Sequence, residues 1–587
     1  MAPSAREALL PSCSPDEDQD TERVIQHGDG AAASGRPQAV GDYRTVFGVV
    51  AMASIAALLV LAGSLATSHT KGVMPQSTVG GGAARQEKSA AQLGGVARAR
   101  YACSDFLQVD VPRHAFSLIL TADPGDFSGV SEAHHVLANL VERRENPRSS
   151  SVCGQVSTGT LMGEFVVVAT TGIGASAASM CTLEILRECG SLIKDIVYFG
   201  TSGWSPQRGG LLNPPACAVA NWNNDKTRVG DVCVSPLSVN WVCKKASWQQ
   251  QATGHPNQCV RPEEQNGPAD NYLFGECMFF KDNLVANLAL ADELVSVARS
   301  RAGSANFPRR PVNVSALNAE YWGVVAAGVG HPAPKFDEDA PPRVFDYSEC
   351  MEVDGNFFYN GSPWELKSRE YAAATLEAAM LELDRQAADA DGHSNGVRVA
   401  QAAEAATRLR GGREHTSATD MVAVSAMEAV GVSEALMRYH SLRTTRDPIP
   451  FTNVRTNSNW MVAPIERGAG VGEWRVGRAV PEDFVNGYSH AIATGSAAIL
   501  SLHQDRCLAR GARSTADGNR AGAPDCSFEI RAEEHEAMVR AGVAARRAAA
   551  ASVAVAAAAA TAATAAVAAA APSAATAAVA AGLQHAA

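Results

Sequence analysis

Three short apolar runs, each ending in a turn-rich segment, stand out along the central part of the chain. They cover Phe116–Leu120, Phe165–Val168 and Ile196–Phe199, and each runs into Gly, Pro or Ser residues. Runs of this length bounded by turn residues are typical of buried strands. A helical pattern follows the second run. The sequence therefore predicts an α/β domain whose central mixed or parallel sheet is flanked by helices.

Further elements follow in the second half of the chain. The pattern predicts an amphipathic helix over Asp282–Arg299, a helix over Ser417–Tyr439, a short strand over Pro450–Val454 and a closing helix over Asn486–Leu502. Ligands of open α/β sheets bind beyond the carboxyl ends of the strands. The turns that follow the strands are therefore the expected place for a site.

The longest uncharged apolar stretch covers residues 46–66. At about 1.5 Å per residue, a helix of this length crosses a hydrocarbon core about 30 Å thick. It begins further from the N-terminus than a cleaved signal peptide usually does. The sequence predicts a single-pass signal-anchor helix, with residues 1–45 disordered in the cytosol and the main domain in the secretory lumen or outside the cell.

Composition divides the rest of the chain. Residues 67–98 are rich in Gly, Ala, Gln and Ser and are expected to form a flexible stalk, while 511–587 read as a low-complexity, Ala-rich tail. The main domain is expected over 99–510. Polar or low-complexity stretches near 244–276 and 385–416 are expected to be insertions in it.

Cysteine usage agrees with a secretory location. Twelve of the thirteen cysteines follow the apolar stretch, and none forms a Cys-x-x-Cys pair. The absence of such pairs disfavours a zinc ribbon or a thioredoxin-type site. The even number favours disulfides in an oxidising compartment, the alternative being scattered buried thiols. Glycosylation sequons at Asn313 and Asn360 point the same way.

Charge narrows the range of partners. The formal net charge is −11, which disfavours binding to the phosphate backbone of a nucleic acid. The sequence contains no His-Glu-x-x-His, Gly-x-Ser-x-Gly or Walker A motif, and neither a metal nor another cofactor is expected. The neighbouring His134 and His135 are expected at the surface.

Five segments occur in an order that resembles the nucleoside phosphorylase/nucleosidase superfamily. They read TTGIGASAAS from Thr170, FGTSG from Phe199, VGDVCVSP from Val229, SAMEAVGV from Ser425 and FTNVRTNSNW from Phe451. The plant bark-storage and wound-induced branch and the purine nucleoside permease-like branch look nearest. The resemblance implies a three-layer, phosphorylase-like fold and displacement at the anomeric carbon of a nucleoside.

Residue roles follow from the same resemblance. Glu428 would hold the ribose hydroxyls through charged hydrogen bonds, with Met427 packed against the sugar. Asn459 would face the purine where relatives carry Asp, and an amide donates a hydrogen bond but no proton.

Two glycine turns are expected to provide backbone groups that bind the ligand. Glycine has no side chain, so a ligand can approach the main chain closely at these turns. The residues concerned are Thr171, Gly172, Gly174, Ser202 and Gly203.

The resemblance also implies that this sequence lacks the phosphate site of phosphorolytic members of the superfamily. One family arginine is replaced by Asp126 and a second by Tyr198, and phosphate binding relies on guanidinium groups. This favours attack by water, with Asp126 or Asp123 as the base, over attack by phosphate. The alternative for both aspartates is turn formation through their own backbone.

The sequence thus predicts a membrane-anchored protein that binds a purine nucleoside and hydrolyses its N-glycosidic bond without phosphate. The alternative is a storage or uptake-associated binding protein with little turnover. Assembly into a homo-oligomer is left open.

Overall fold

The computed structural model describes most of the chain between residues 87 and 549. Outside it lie 1–86, 126–128, 147–151, 210–224, 241–282, 330, 338, 356–361, 389–395, 414–419, 443–447, 463–464, 468–473, 477–480, 517–524 and most residues after 549. The segment 46–66 and the insertion near 244–276 therefore stay predictions. Within the described residues, no helix has the length and apolar character needed to cross a bilayer.

Eleven of the strands in the described residues form one mixed sheet, and two form a separate hairpin. The strands are β1 (Phe116–Thr121), β2 (Val141–Glu145), β3 (Gln155–Leu161), β4 (Glu164–Thr170), β5 (Ile193–Trp204), β6 (Val232–Ser235), β7 (Ser238–Asn240), β8 (Val344–Phe345), β9 (Cys350–Asp354), β10 (Val422–Ala426), β11 (Phe451–Trp460), and the hairpin strands β12 (Ile465–Arg467) and β13 (Trp474–Val476).

The long strand β5 organises the sheet. Its first half pairs in parallel with β1, which pairs in parallel with β4. Its other edge pairs in parallel with β11, and its last residues also pair with the antiparallel β10. Strands β9 and β7 continue the sheet beyond β10, while β6 and β8 continue it beyond β11. The carboxyl ends of β1 and β4 therefore lie side by side, next to Phe199 within β5.

The helices cover both faces of this sheet. They are α1 (Glu87–Leu107), α2 (His134–Ala138), α3 (Ala175–Cys189), α4 (Leu284–Arg301), α5 (Val312–Val329), α6 (Ser362–Ala388), α7 (Gly396–Arg413), α8 (Ala429–Ser441) and α9 (Pro481–Ala516), followed by α10 (532–549).

Alternating residues of β1 show the three-layer arrangement. Leu118 and Leu120 pack into an apolar cluster with α3 and α8. Ile119, between them, packs into a second cluster with α4 and α9. Successive side chains of a strand point to opposite faces, so each face of the sheet has its own core. The predicted mixed sheet flanked by helices is confirmed.

Four disulfides join eight of the twelve cysteines that follow residue 66. They are Cys103–Cys189, Cys153–Cys181, Cys233–Cys350 and Cys507–Cys526. Cross-links of this kind typically contribute about 2–4 kcal/mol each. The predicted disulfide-bearing domain is confirmed, and the remaining four cysteines lie outside the described residues.

Two predicted elements differ from the structure. The helix expected over Ser417–Tyr439 is a strand, β10, followed by the shorter helix α8. Its run Val-Ala-Val-Ser-Ala is compatible with the periodicity of a helix and with that of a strand. Pairing with β9 and β5 makes it a strand. The insertion expected near 385–416 contains α7, whose buried alanines pack it against α6.

The folded part of the chain extends beyond residue 510. Phe528 and Val539 are buried in the core, although they belong to the stretch expected as a low-complexity tail. Asn139 and Glu529 exchange two hydrogen bonds, one donated by the side-chain amide and one by the Glu529 backbone N–H. The first residues of the predicted tail are therefore part of the domain.

Histidines also join this segment to the domain. His135 and His535 are buried, with ring centroids 4.8 Å apart. Burial lowers the pKa of His135 to about 2 and that of His535 to about 3. The expectation that His135 lies at the surface is wrong, because α10 covers it. The amide nitrogen of Asn313, the first sequon residue, donates to Glu536 of α10, and Asn360 lies outside the described residues.

Candidate active site

The predicted ribose ligand, Glu428, lies between the end of β10 and the start of α8 and is only 5% exposed. Its Oε1 accepts a hydrogen bond from the backbone N–H of Gly174, at 3.3 Å, in the turn that leads into α3. Its Oε2 accepts one from Arg455, at 2.9 Å. Glu428 therefore joins the first glycine turn to strand β11.

Arg455 is the charged centre of the site, and the sequence motifs did not single it out. It is 1% exposed and donates to both oxygens of Glu352 of β9, at 2.7 and 2.8 Å, as well as to Glu428. Burial alone would lower the pKa of this guanidinium, but the charges of Glu352 and Glu428 raise it above its ordinary value. Arg455 is thus a permanent cation held between two carboxylates.

A glycine makes room for this arginine. Gly200 of β5 is the register partner of Arg455, and a Cβ placed on Gly200 would lie 2.0 Å from Nη1. The guanidinium also lies 4.8 Å from the ring centroid of Tyr198, a favourable cation–π distance. The Gly in the motif FGTSG therefore serves a close packing contact within the strand.

Glu132 is surrounded by hydrogen-bond donors that lie just after β1 and within β5. Its Oε2 accepts from the backbone N–H groups of Ala122 and Asp123, each at 3.1 Å. Its Oε1 accepts from the backbone N–H and the hydroxyl of Thr201, at 3.0 and 3.1 Å. Burial raises the pKa of this carboxyl to about 7, although the hydrogen bonds from Thr201 and Asp123 oppose the rise.

The structure describes only one of the two aspartates that were predicted as bases. Asp126 lies outside the described residues, and its role stays a prediction. Asp123 is buried; its Oδ1 accepts from the Gly125 N–H at 2.8 Å and its Oδ2 from the Tyr488 hydroxyl at 3.0 Å. The contact to Gly125, two residues on, is the turn-forming role that was the alternative for this residue.

The expected glycine-turn backbone is mostly engaged within the fold. The N–H groups of Thr171 and Gly172 donate to Thr121 and Ala122, and that of Gly174 donates to Glu428. Gly172 and Gly174 have φ of +86° and +99° and form the predicted turn. A Cβ on Gly174 would meet no atom within 4 Å, so the space above this turn is open.

The second expected turn is wrong, because β5 continues unbroken through Ser202 and Gly203 to Trp204. Ser202 is buried and its hydroxyl accepts from the Trp204 indole N–H at 3.0 Å. Gly203 pairs with both β10 and β11. Polar residues extend this strand because two neighbouring strands satisfy its backbone.

Met427 and Asn459 are partly exposed beside this buried network. The register of β11 against β5 shifts between Asn457 and Asn459, so Ser458 forms a bulge, a feature enriched next to active sites. The Asn459 amide oxygen accepts from the Ser458 hydroxyl at 2.9 Å and lies beside Gly203. The bulge therefore sets the direction of the predicted purine-facing residue.

Negative charge exceeds positive charge around Arg455. Burial and the neighbouring Glu352 raise the pKa of Asp354 well above its ordinary value. Glu352 and Glu428 balance Arg455 with one negative charge in excess, and Glu132 adds to it when ionised. Such a site attracts positive charge and repels anions. Among the described residues, no group of His, Cys, Asp or Glu side chains is arranged to hold a metal ion.

Among known proteins, the chain is similar to several solved structures. No family model matches the chain, and no curated protein does. A 5′-methylthioadenosine/S-adenosylhomocysteine nucleosidase from Colwellia psychrerythraea, in complex with adenine, is 14% identical. The match covers 66% of this chain and 94% of that chain, with a TM-score of 0.31.

Two further structures match over similar lengths. The nucleosidase of the same name from Neisseria meningitidis, with methylthio-immucillin-A, is 13% identical over 66% of this chain and 97% of that one, with a TM-score of 0.30. A futalosine hydrolase mutant of Helicobacter pylori is 12% identical over 67% and 99%, with a TM-score of 0.28. These structures are likenesses of the chain, and the case for function rests on the site itself.

Proposed function

We propose that the protein hydrolyses the N-glycosidic bond of a purine nucleoside without phosphate. The observation that carries the proposal is the position of Glu132. Its carboxylate takes four donors that lie just after β1 and within β5, so these donors are not available to an external anion. A phosphate would have to displace it and would meet the negative charge around Arg455.

The same charge suits hydrolysis of a nucleoside. Cleavage of the glycosidic bond passes through an oxocarbenium-like transition state, in which the sugar becomes positively charged. Preorganised carboxylates next to developing positive charge are an efficient form of catalysis, because they need no reorganisation during the reaction. Glu428 would accept hydrogen bonds from the ribose hydroxyls while Arg455 holds it in place, and Met427 would pack against the sugar.

Glu132 would act on the attacking water. A carboxyl whose pKa lies near 7 is well matched to accept a proton at neutral pH. The water oxygen bonds to the anomeric carbon, and its proton passes to Glu132 Oε1 as the Thr201 hydroxyl rotates away from that oxygen. The electron pair of the broken C–N bond leaves with the base. Asn459 would stabilise the departing base by a hydrogen bond, and the base takes its proton from solvent.

A second function is favoured by Asn459. Because an amide cannot protonate the leaving group, the general-acid contribution of about 10²–10⁴-fold is missing. A storage or uptake-associated protein that binds nucleosides with little turnover would retain the same Glu428 and Met427. The proposed setting is common to both: a membrane anchor over 46–66 and a disulfide-bearing domain in the lumen or outside the cell.

Release of free base distinguishes the two functions. The purified chain is incubated with inosine or adenosine in phosphate-free buffer, and free base is measured by chromatography. Catalytic release, lost in Glu132→Gln but retained in the surface variant Glu404→Gln on α7, supports the hydrolase. Stoichiometric nucleoside binding without base release would identify the binding protein instead.

A further inference from the structure

A cluster of basic side chains surrounds the turn that precedes β6. Arg228 and Arg343 both approach Asp231, at 3.9 and 3.0 Å. Arg310 lies within electrostatic reach of the same three groups. His490 of α9 sits against the turn, since a Cβ on Gly230 would lie 2.5 Å from its Nε2. We call Arg228, Arg310, Arg343 and His490 the basic cluster.

Several donors of the basic cluster have no hydrogen-bond partner. Nε and Nη2 of Arg310 are buried and unpaired, as is Nε of Arg343. Both ring nitrogens of His490 are also buried and unpaired, and that residue is only 3% exposed. Buried polar groups in folded proteins are normally hydrogen-bonded, so a group of unpaired donors in one place indicates a missing acceptor.

Charge within the basic cluster is unbalanced as well. Three guanidinium groups face one buried carboxylate, Asp231, and the exposed Asp337. Burial and the neighbouring Arg228 lower the pKa of Arg310 to about 10. Burial and the charge of Arg310 lower the pKa of His490 to about 3. His490 is therefore a neutral imidazole at neutral pH, and Arg310 stays a cation that lies beside other cations.

The acceptor that fits these donors is an oxyanion. Guanidinium groups match the oxygens of phosphate in a planar, two-pronged geometry, and a neutral imidazole adds one further donor. We propose that the basic cluster is a binding site for a phosphoryl group, either inorganic phosphate or a phosphomonoester. It is separate from the proposed nucleoside site and does not depend on it.

The turn at Gly230 and Asp231, against which the basic cluster lies, contacts strand β11 directly. The N–H of Gly230 donates to the Asn457 carbonyl, and the N–H of Asn457 donates to the Asp231 carbonyl, both at 2.9 Å. Asn457 lies two residues before Asn459. A bound phosphoryl group would therefore stabilise the backbone that carries the predicted purine-facing residue.

The test uses the full chain and measures binding by calorimetry at constant ionic strength. Inorganic phosphate and ribose 5-phosphate are titrated in separate arms, with chloride as the background anion. We expect saturable binding in at least one arm. Arg310→Gln should weaken it at least about tenfold, because hydrogen bonds between charged groups are lost. Arg309→Gln, at the exposed neighbouring residue, should leave it unchanged.

Comparison of the two arms identifies the ligand. Tighter binding of ribose 5-phosphate indicates a phosphorylated metabolite, and equal or weaker binding indicates phosphate itself. Absence of saturable binding in the unmodified chain would overturn the proposal, as would equal losses in Arg309→Gln and Arg310→Gln. If Arg310→Gln does not fold, His490→Gln and Arg310→Lys are measured instead, and unchanged affinity in both would overturn it. Glu428→Gln should bind phosphate normally, which keeps this result independent of the proposed hydrolysis.

Discussion

Two charged regions of the molecule adjoin the same stretch of β11 and are built in opposite ways. Around Arg455, buried carboxylates outnumber the cation, and their oxygens accept hydrogen bonds from the backbone and from the guanidinium itself. In the basic cluster, cations outnumber Asp231 and several donors have no acceptor. The first region balances its cation with carboxylates and is organised for positive charge. The second is incomplete and lacks an anion.

Replacing an arginine in each region should give the largest contrast. Arg455→Met leaves Glu352 and Glu428 buried without a counter-charge, and removal of one member of a buried pair costs about 3–5 kcal/mol. Arg310→Met removes a partly buried cation with two unpaired donor nitrogens, so stability without phosphate should stay the same or rise. Urea denaturation of the two variants measures both changes. Equal destabilisation would show that the regions do not differ in this way.

Removing the charge of Glu428 sharpens the assignment of the acidic region. Glu428→Gln keeps the shape but loses charged hydrogen bonds to the ribose, which contribute roughly 1.5–3 kcal/mol. Nucleoside affinity should fall about 10- to 100-fold, while affinity for the free base should barely change. Calorimetry with a nucleoside and with its free base checks this. Unchanged nucleoside binding would remove Glu428 from the site.

A methyl group beside Arg455 should disturb the same region sterically. Gly200→Ala places a Cβ 2.0 Å from Nη1, whereas Gly203→Ala meets atoms no closer than 3.6 Å. Overpacking of this kind costs about 1–3 kcal/mol, so Gly200→Ala should be the less stable variant by that amount. Thermal unfolding of the pair provides the comparison. Equal melting temperatures would mean that the guanidinium does not occupy this position.

The ionisation of Glu132 gives the smallest effect, visible as a pH dependence. As a base with a pKa of about 7, it should raise the hydrolysis rate about tenfold between about pH 6 and pH 8, and Glu132→Gln should abolish that rise.

The stability of the protein should move the opposite way. The folded state binds the Glu132 proton more tightly than the unfolded state, so its contribution is present below about pH 4.5 and lost as pH rises through about 7. The rate profile and denaturation at several pH values check the two effects. A flat rate profile in the unmodified protein would exclude Glu132 as the base.

The sequence indicated the strands and turns well where local pattern decides the structure. The runs ending at Val168 and Leu120 lie in β4 and β1, and the Gly172–Gly174 turn forms as expected. The end of β5 was misplaced, because its last polar residues become a strand only through pairing with β10 and β11. Local residues carry no signal of that pairing.

The buried charges were missed for a related reason. Arg455 and Glu352 are 103 residues apart, and Glu132 and Thr201 are 69 residues apart. No spacing rule connects such pairs. The available signal was Arg455 itself, a charged residue directly after the predicted strand Pro450–Val454, since a charge that becomes buried requires partners.

Product analysis in the presence and absence of phosphate tests the central claim most directly. Arg310→Gln is used beside the unmodified chain, so that phosphate in the basic cluster does not obscure the result. With inosine or adenosine as substrate, we expect free base and ribose, at a rate that does not change as phosphate is added. A saturable phosphate requirement in both proteins, with ribose 1-phosphate as the product, would contradict the account.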